Sequence, residues 1–286
     1  MKKPVVISII NHKGGVGKTT TLLNIASAMS FLSQKKEIKK HSELKVLLID
    51  NDPQGSLSSF FYNIDDQLED KDTILAIYND KPIYTDNIIL ETKIDNIDIV
   101  CNMFLTNAKE SSLINSINGM YRIKNFIQNC CSNYDFVLID NSPSFNIFTK
   151  NALIATDYCI IPSELTRLST NGINEIIETI ISVKEINQTI QLLGILINKF
   201  EIRNNTHKIY RDKMFKQFGD SILDTEIHSA VVFQHAERMK KTVVQTDKSS
   251  RAYKEYVQLA TEIMFKTGFN IIYNPTKKYE FDNDNK

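Results

Sequence analysis

His12-Lys13-Gly14-Gly15-Val16-Gly17-Lys18-Thr19-Thr20 is the stretch around which the chain is organised. The apolar run before it, Val5-Val6-Ile7-Ser8-Ile9-Ile10, has the length of a buried strand, and Leu22, Leu23, Ile25, Ala26 and Met29 after it are spaced as on one face of a helix. Strand, glycine-rich loop and helix together form the context that a phosphate-binding loop requires. The glycines let successive backbone N–H groups converge on an anion, and the new helix adds the positive end of its dipole. Lys18 supplies a point charge, and Thr19, followed by Thr20, offers a hydroxyl to Mg2+. The chemistry served is that of a nucleoside triphosphate. The strict G-x-x-x-x-G-K-[ST] pattern fails at one place, because His12 stands where it demands glycine.

Two further strands end in carboxylates. Lys45-Val46-Leu47-Leu48-Ile49-Asp50 delivers Asn51-Asp52-Pro53-Gln54-Gly55 at its carboxyl end, the edge of an open parallel sheet where ligands sit. Asp-Pro also starts ordinary turns, so Asp50 and Asp52 gain meaning from sharing an α/β unit with the loop. Tyr134-Asp135-Phe136-Val137-Leu138-Ile139-Asp140 has the form of a Walker B element. Asp140 would hold Mg2+ through a water, because a small hard cation keeps much of its hydration shell.

The loop resembles K-G-G-x-G-K-[ST], the deviant phosphate loop of the ParA/MinD family of ATPases, with the additional first lysine falling on Lys13. Asp50 to Gly55 is similar to that family's second motif, and Asn141-Ser142-Pro143-Ser144 to its D-x-P-P-S, with Ser142 replacing the first proline. The resemblance implies ATP and Mg2+, a nucleotide held from Lys13 through Gly14, Gly15, Val16, Gly17, Lys18 and Thr19 to Thr20, and Lys13, Lys18 and Asp52 as the catalytic groups. Asp52 would position the attacking water, and Asp50 would support the site as a further candidate metal ligand. The family's adenine-contacting position falls on Asn198, where a capping role is also open.

Lys plus Arg and Asp plus Glu stand at 34 each, so the whole-chain charge signals neither nucleic acid nor anionic membrane, and any basic patch must be local. Cys101, Cys130, Cys131 and Cys159 show no C-x-x-C spacing, which leaves buried thiols in a reducing compartment as their reading. Met1-Lys2-Lys3 and the apolar residues after it loosely imitate a signal peptide, but the run stops at Asn11 without a cleavage site, and no run reaches membrane-spanning length. The expectation is a cytoplasmic protein.

Along the chain, Gln34 to Leu44, with Lys35, Lys36, Lys39 and Lys40, reads as an exposed helix extension or loop. Short helices are expected near Ser56 to Tyr62 and Thr73 to Tyr78, and a strand at Asn96 to Cys101, with loops between them. Then follow helices at Gly119 to Cys131 and Asn146 to Ala155, a strand at Tyr158 to Pro162, a helix at Ser169 to Val183, a strand at Gln191 to Lys199, a helix from Thr206 and a strand at Ser221 to Ile227. The final helix, Ser250 to Phe265, turns Tyr253, Tyr256, Leu259, Ala260 and Ile263 inward and Arg251 and Lys254 outward. This alternation predicts an α/β fold: a mostly parallel twisted sheet with helices on both faces, one P-loop ATPase domain over 1–270, and a polar tail over 271–286 expected to be disordered.

The last third also looks like the ParA pattern, matching at Asp247, Ser250, Tyr256, Leu259, Ala260, Glu262 and Ile263, so the resemblance covers nearly the whole chain. It departs at His228, where the family has a DNA-contacting arginine, at His235, and at Glu237 and Lys240 in the nucleotide-covering loop. The resemblance implies a homodimer with ATP, nonspecific double-stranded DNA and a centromere-binding, ParB-like partner that stimulates slow hydrolysis in plasmid or chromosome segregation, hence a nucleoid-associated protein. Two local basic groups, Arg203, Lys208, Arg211, Lys213 and Lys216, then Arg238, Lys240 and Lys241, are either the DNA surface or solvated decoration. The alternative is a MinD-like membrane-cycling ATPase, which needs a basic amphipathic helix near the carboxyl end; Asn270 onward offers none, so no membrane is expected. Iron–sulfur reductases on the same loop would need bridging cysteines, which these four do not visibly form.

Overall fold

The computed structural model describes residues 3–34, 43–63, 68–79, 88–102, 107–116, 118–269, 271 and 273. Lys35, Lys36, Lys39 and Lys40 and nearly all of the 271–286 tail lie outside the described residues. Strand β1 (Val5–Ile9) leads through the glycine-rich loop to α1 (Lys18–Gln34), and β2 (Val46–Asn51) leads to α2 (Ser56–Phe61). Next come α3 (Ile74–Tyr78), β3 (Leu90–Glu91), β4 (Ile97–Val100), α4 (Asn107–Asn115), α5 (Arg122–Cys130) and β5 (Phe136–Asn141). The chain continues through α6 (Ile147–Ala155), β6 (Tyr158–Glu164), α7 (Ser169–Val183), β7 (Gln191–Asn198), α8 (Asn205–Phe218), α9 (Val232–Arg238), α10 (Val243–Thr246) and α11 (Arg251–Lys266).

These strands form one seven-stranded sheet in the order β3-β4-β2-β5-β1-β6-β7, parallel except for β3, which runs antiparallel to β4. Both faces are covered, so the central strands are apolar throughout rather than alternating. Ile7 and Ile9 of β1 pack in the cluster with Leu22 and Met29 of α1 and Tyr256 and Leu259 of α11. Val6, on the opposite face, joins Ile77 of α3, Phe126 of α5 and Phe148 of α6, while Ile173 and Ile176 of α7 fill a third cluster with Ile195 and Ile197 of β7. Short polar side chains start several helices by accepting otherwise unpaired backbone N–H groups: Thr73 for α3, Asn146 for α6, Asn204 for α8 and Ser250 for α11.

The expected parallel sheet with helices on both faces is present. Four local expectations are corrected. The residues 221–227 do not form a strand; they touch β7 at the isolated bridge Ile195 to Ile222, because the Asp224 and Thr225 N–H groups donate to the Glu262 carboxylate at 2.8 and 3.0 Å. The helix expected from Gly119 is split into a 3-10 turn, Gly119–Tyr121, and α5. Segments read as loops hold β3 and α4, too short or too polar for periodicity to reveal. Arg251 does not simply point outward, since its Nε donates to Glu255 at 2.5 Å.

Candidate nucleotide site

Register places the site. Asp50 of β2 lies beside Asp140 of β5, and Ile9 of β1 lies on the other side of Asp140, so both carboxylates and the glycine-rich loop meet at the carboxyl ends of three adjacent strands. On the far side of β1, Glu164 of β6 is in register with Asn198 of β7.

The loop is wired through its carbonyls. Asn11, almost fully buried, accepts the Lys13 N–H at 2.8 Å and donates to the Pro162 carbonyl at 2.7 Å, which fixes where the loop leaves β1. The Gly15 carbonyl accepts Lys199 Nζ at 2.5 Å and the Val16 carbonyl accepts Asn198 Nδ2 at 2.7 Å. In a trans peptide the N–H points away from its carbonyl, so these two contacts direct the Val16 and Gly17 N–H groups away from β7. Gly17 has φ 87°, and a Cβ there would stand 2.6 Å from Asn198 Nδ2; only glycine permits the approach. The Asn198 amide is thus engaged by the loop itself, its Oδ1 accepting the Lys199 N–H.

Lys18 is buried, with Nζ 3.3 Å from the Asn11 carbonyl and 3.5 Å from that of Lys13. Burial lowers its pKa, opposed by the charges of Asp140 and Asp52. A cation satisfied by long contacts to neutral carbonyls is one that an anion in the loop would attract. Thr19 Oγ1 donates to Asp140 Oδ2 at 2.6 Å, while Asp140 Oδ1 is buried and has no hydrogen-bond partner among the described residues. Burial pushes Asp140 up to about 7, with the Thr19 hydrogen bond and Lys18 pulling down and Asp52 pushing up. Burial pushes Asp50 up to about 8, and the Asp140 charge adds to it. An orphaned carboxylate oxygen beside a threonine hydroxyl, among three mutually repelling carboxylates, fits a divalent cation with oxygen ligands.

Asp50 differs from Asp140 in being fully engaged: Oδ2 accepts the Ser58 N–H and hydroxyl, both at 2.7 Å, and Oδ1 accepts the Asp52 N–H. It therefore shapes the turn that carries Asp52 rather than presenting a free oxygen. Asp52 is half-buried; its carbonyl accepts Asn102 Nδ2 at 2.6 Å and its Oδ1 accepts the Gln54 N–H. Gly55, at φ 62°, closes this turn where a Cβ would meet the Asn102 carbonyl at 2.7 Å. Beneath lies a buried amide network: Asn51 Nδ2 donates to Asn141 Oδ1 and to the Phe148 carbonyl, and Tyr78 donates its hydroxyl to Asn51 Oδ1 at 2.7 Å.

Lys13 stands on the outer side of the loop, its Nζ 2.7 Å from Glu164 Oε2, while Lys199 Nζ is 2.9 Å from Glu164 Oε1. Gly14 has open space where a Cβ would stand, and the Thr20 carbonyl accepts Asn24 Nδ2 at 2.8 Å. Asn11, Glu164, Lys199 and the Asn51–Tyr78 network escape the sequence reading. Glu164 had one signal, a carboxylate ending a strand, but β6 was expected to stop at Pro162.

The basic groups are distributed less simply. Arg203, Lys208, Lys213 and Lys216 are exposed on or beside α8, as are Arg238, Lys240 and Lys241 at the end of α9. Arg211 is engaged within the chain, with Nε 2.5 Å from Glu226 and its guanidinium 4.7 Å from the Phe215 ring centroid. Lys208 and Arg211 line a cavity of about 520 Å³ with His228, Arg251 and Glu255, whereas Lys241 lines a separate groove with Thr19 and Phe60. His228 is packed on Phe200, its Nδ1 2.6 Å from Glu255.

A family model described as an AAA domain matches residues 4–192. Over 264 residues the chain is 29% identical to the sporulation initiation inhibitor protein Soj of Bacillus subtilis, spanning 90% of this chain and 97% of that protein. It is 29% identical to the chromosome partitioning protein ParA of Myxococcus xanthus, over 91% and 87% of the two chains. A Borrelia burgdorferi structure described as a plasmid partition protein, bound to AMPPNP, superposes with a TM-score of 0.70 at 27% identity, covering 93% of this chain and all of that one.

Proposed function

The chain belongs to this AAA-domain family and is an ATPase of the kind that ParA and Soj represent, and from that premise we propose that it is a partition ATPase whose ATP-bound homodimer binds nonspecific double-stranded DNA and is released when a centromere-binding partner stimulates hydrolysis. The observation that carries the chemistry is the orphaned Asp140 Oδ1 beside the Thr19 hydroxyl, at the start of the helix that follows the glycine-rich loop.

In this reading the Val16, Gly17 and Lys18 N–H groups receive the phosphates, and Lys18 exchanges its loop carbonyls for a phosphate oxygen. Thr19 would hold Mg2+ directly and Asp140 through a water, and a bound ion would supply charge neutralisation at the phosphates. Asp52, at the end of its fixed turn, accepts a hydrogen bond from the water that attacks the γ-phosphorus; the bond to the bridging oxygen breaks and ADP leaves with that electron pair. Lys13 reaches in trans to the nucleotide of the other subunit, so that dimerisation answers to ATP. Asn198 borders the adenine. The DNA surface is made by Arg203, Lys208, Lys213 and Lys216 with Arg238, Lys240 and Lys241, doubled in the dimer, and it brings the protein to the nucleoid. Among the described residues no helix is long and apolar enough to cross a membrane.

The test is ATP hydrolysis measured beside a DNA mobility shift and vesicle flotation. ATP-dependent DNA binding that falls steeply with salt and ignores sequence supports the proposal. Flotation with vesicles and no DNA shift would replace it by the membrane-cycling reading.

A further inference from the structure

Glu164 is a carboxylate shared between two lysines at the mouth of the phosphate loop, 2.7 Å from Lys13 and 2.9 Å from Lys199. Its side chain is about one-fifth exposed, while those of the lysines are about half exposed. Burial pushes its carboxyl upward, but the hydrogen bonds and charges of Lys13 and Lys199 outweigh that and hold it below the ordinary range. Lys199 is fastened in turn to the Gly15 carbonyl, and its backbone sits at φ 55°, a left-handed conformation that a lysine adopts only when its surroundings enforce it. The arrangement has no place in the hydrolysis chemistry above, which needs Lys13 at a phosphate.

We propose that Glu164 is a positioning residue that parks Lys13 outside the phosphate site in the nucleotide-free subunit, with Lys199 dividing its charge so that the hold is weak enough to be released by a triphosphate. The inference rests on the reading of Lys13 as a residue acting in trans. A carboxylate shared by two cations binds each less firmly than it would bind one. Two half-exposed ion pairs are each modest, so the hold is overcome by a ligand carrying several negative charges. Two consequences follow, and they have opposite signs. Glu164→Gln keeps the shape and frees Lys13, whereas Lys199→Gln leaves Glu164 to Lys13 alone and tightens the hold.

The primary experiment is competitive acylation of lysines in the full nucleotide-free chain, read site by site by mass spectrometry. Against wild type, Lys13 should react about two- to fivefold faster in Glu164→Gln, the range of one modest ion pair, and more slowly in Lys199→Gln. The ATP concentration that half-saturates the dimer in light scattering, on an Asp52→Ala background, should fall by a similar factor in Glu164→Gln. Equal Lys13 reactivity in wild type and Glu164→Gln overturns the inference, as do shifts of the same sign in both variants, which a purely structural role would give. A raised reactivity with an unchanged ATP midpoint, while Lys13→Ala loses the dimer, overturns it also and leaves the trans reading standing. If Lys13→Ala itself dimerises normally, the trans reading falls, and this inference falls with it.

Discussion

Two buried carboxylates, Asp50 and Glu262, do the same physical work at opposite ends of the chain. Each is fully buried and each accepts backbone N–H groups of a turn: Asp52 and Ser58 for Asp50, Asp224 and Thr225 for Glu262. They differ in reach. The Ser58 partner is eight residues from Asp50, whereas the partners of Glu262 lie 37 and 38 residues before it. The turn that carries Asp52 is therefore tied by groups close in sequence, at an end of the sheet aimed at a ligand. The carboxyl-terminal third is assembled from distant polar contacts, Glu262 to the 224–225 turn and Glu255 to His228, that hold the chain against β7. Changes at the first should alter function with little effect on folding, and changes at the second the reverse.

The largest effect should come from Lys18→Ala, with nucleotide affinity at least ~100-fold lower by calorimetry, on the order of one charge-assisted contact of ~3 kcal/mol. Its melting temperature should hardly move, since the buried cation is only loosely satisfied by carbonyls. A collapse of stability in this variant would break the comparison. Asp52→Ala should keep nucleotide binding and lose ~10²- to 10⁴-fold in partner-stimulated turnover, the range for a group acting on proton transfer and water placement; normal turnover would remove Asp52 from the mechanism.

At the other end, Glu262→Ala should destabilise by ~2–4 kcal/mol in denaturant unfolding, because a buried N–H group, that of Thr225, and a part-buried one, that of Asp224, lose their acceptor. Nucleotide affinity in the folded fraction should stay within about twofold of wild type, and a larger change would show that the two regions are not separable. The smallest effect concerns pH. Burial pushes the Glu262 carboxyl upward, with the Asp224 charge adding and the hydrogen bonds from Asp224 and Thr225 opposing. The folded chain then keeps a proton that the unfolded chain releases, so this contribution is full below the unfolded carboxylate pKa of ~4.3 and is lost as pH rises through the raised folded value. Glu262→Gln should flatten that part of the stability profile, and an unaltered profile would assign the slope to other groups.

The same difference in reach explains what could be read from the sequence. Loop, Asp52 and Asp140 were legible because a short motif, a strand ending and a following helix fall within one window. The sheet was legible because parallel strands buried on both faces are continuous apolar runs. The 221–227 segment misled for the opposite reason: Ile222, Leu223 and Ile227 give it a strand's composition, and the Leu223 and Ile227 N–H groups do reach β7, but those of Asp224 and Thr225 between them are claimed by Glu262 of a helix that begins far along the chain. Glu164 and Lys199 look like ordinary surface charges until β6 and β7 are laid beside the loop. Asn51 and Asn141 become a pair only through register.

The place of β1 in the sheet bears on how the protein is made. It precedes the other six strands of the sheet in chain order, yet its two neighbours are β5 and β6, which include residues 136–141 and 158–164. Until those have been synthesised, the apolar Val5 to Ile9 segment has no lateral partner and the glycine-rich loop has no frame. ATP therefore cannot act as an early scaffold for the nascent chain, and the long-range parallel pairing that creates the site is also the slow step exposed to misassembly. A chain arrested before β6 should bind no nucleotide and should depend on a chaperone to shield its first strand.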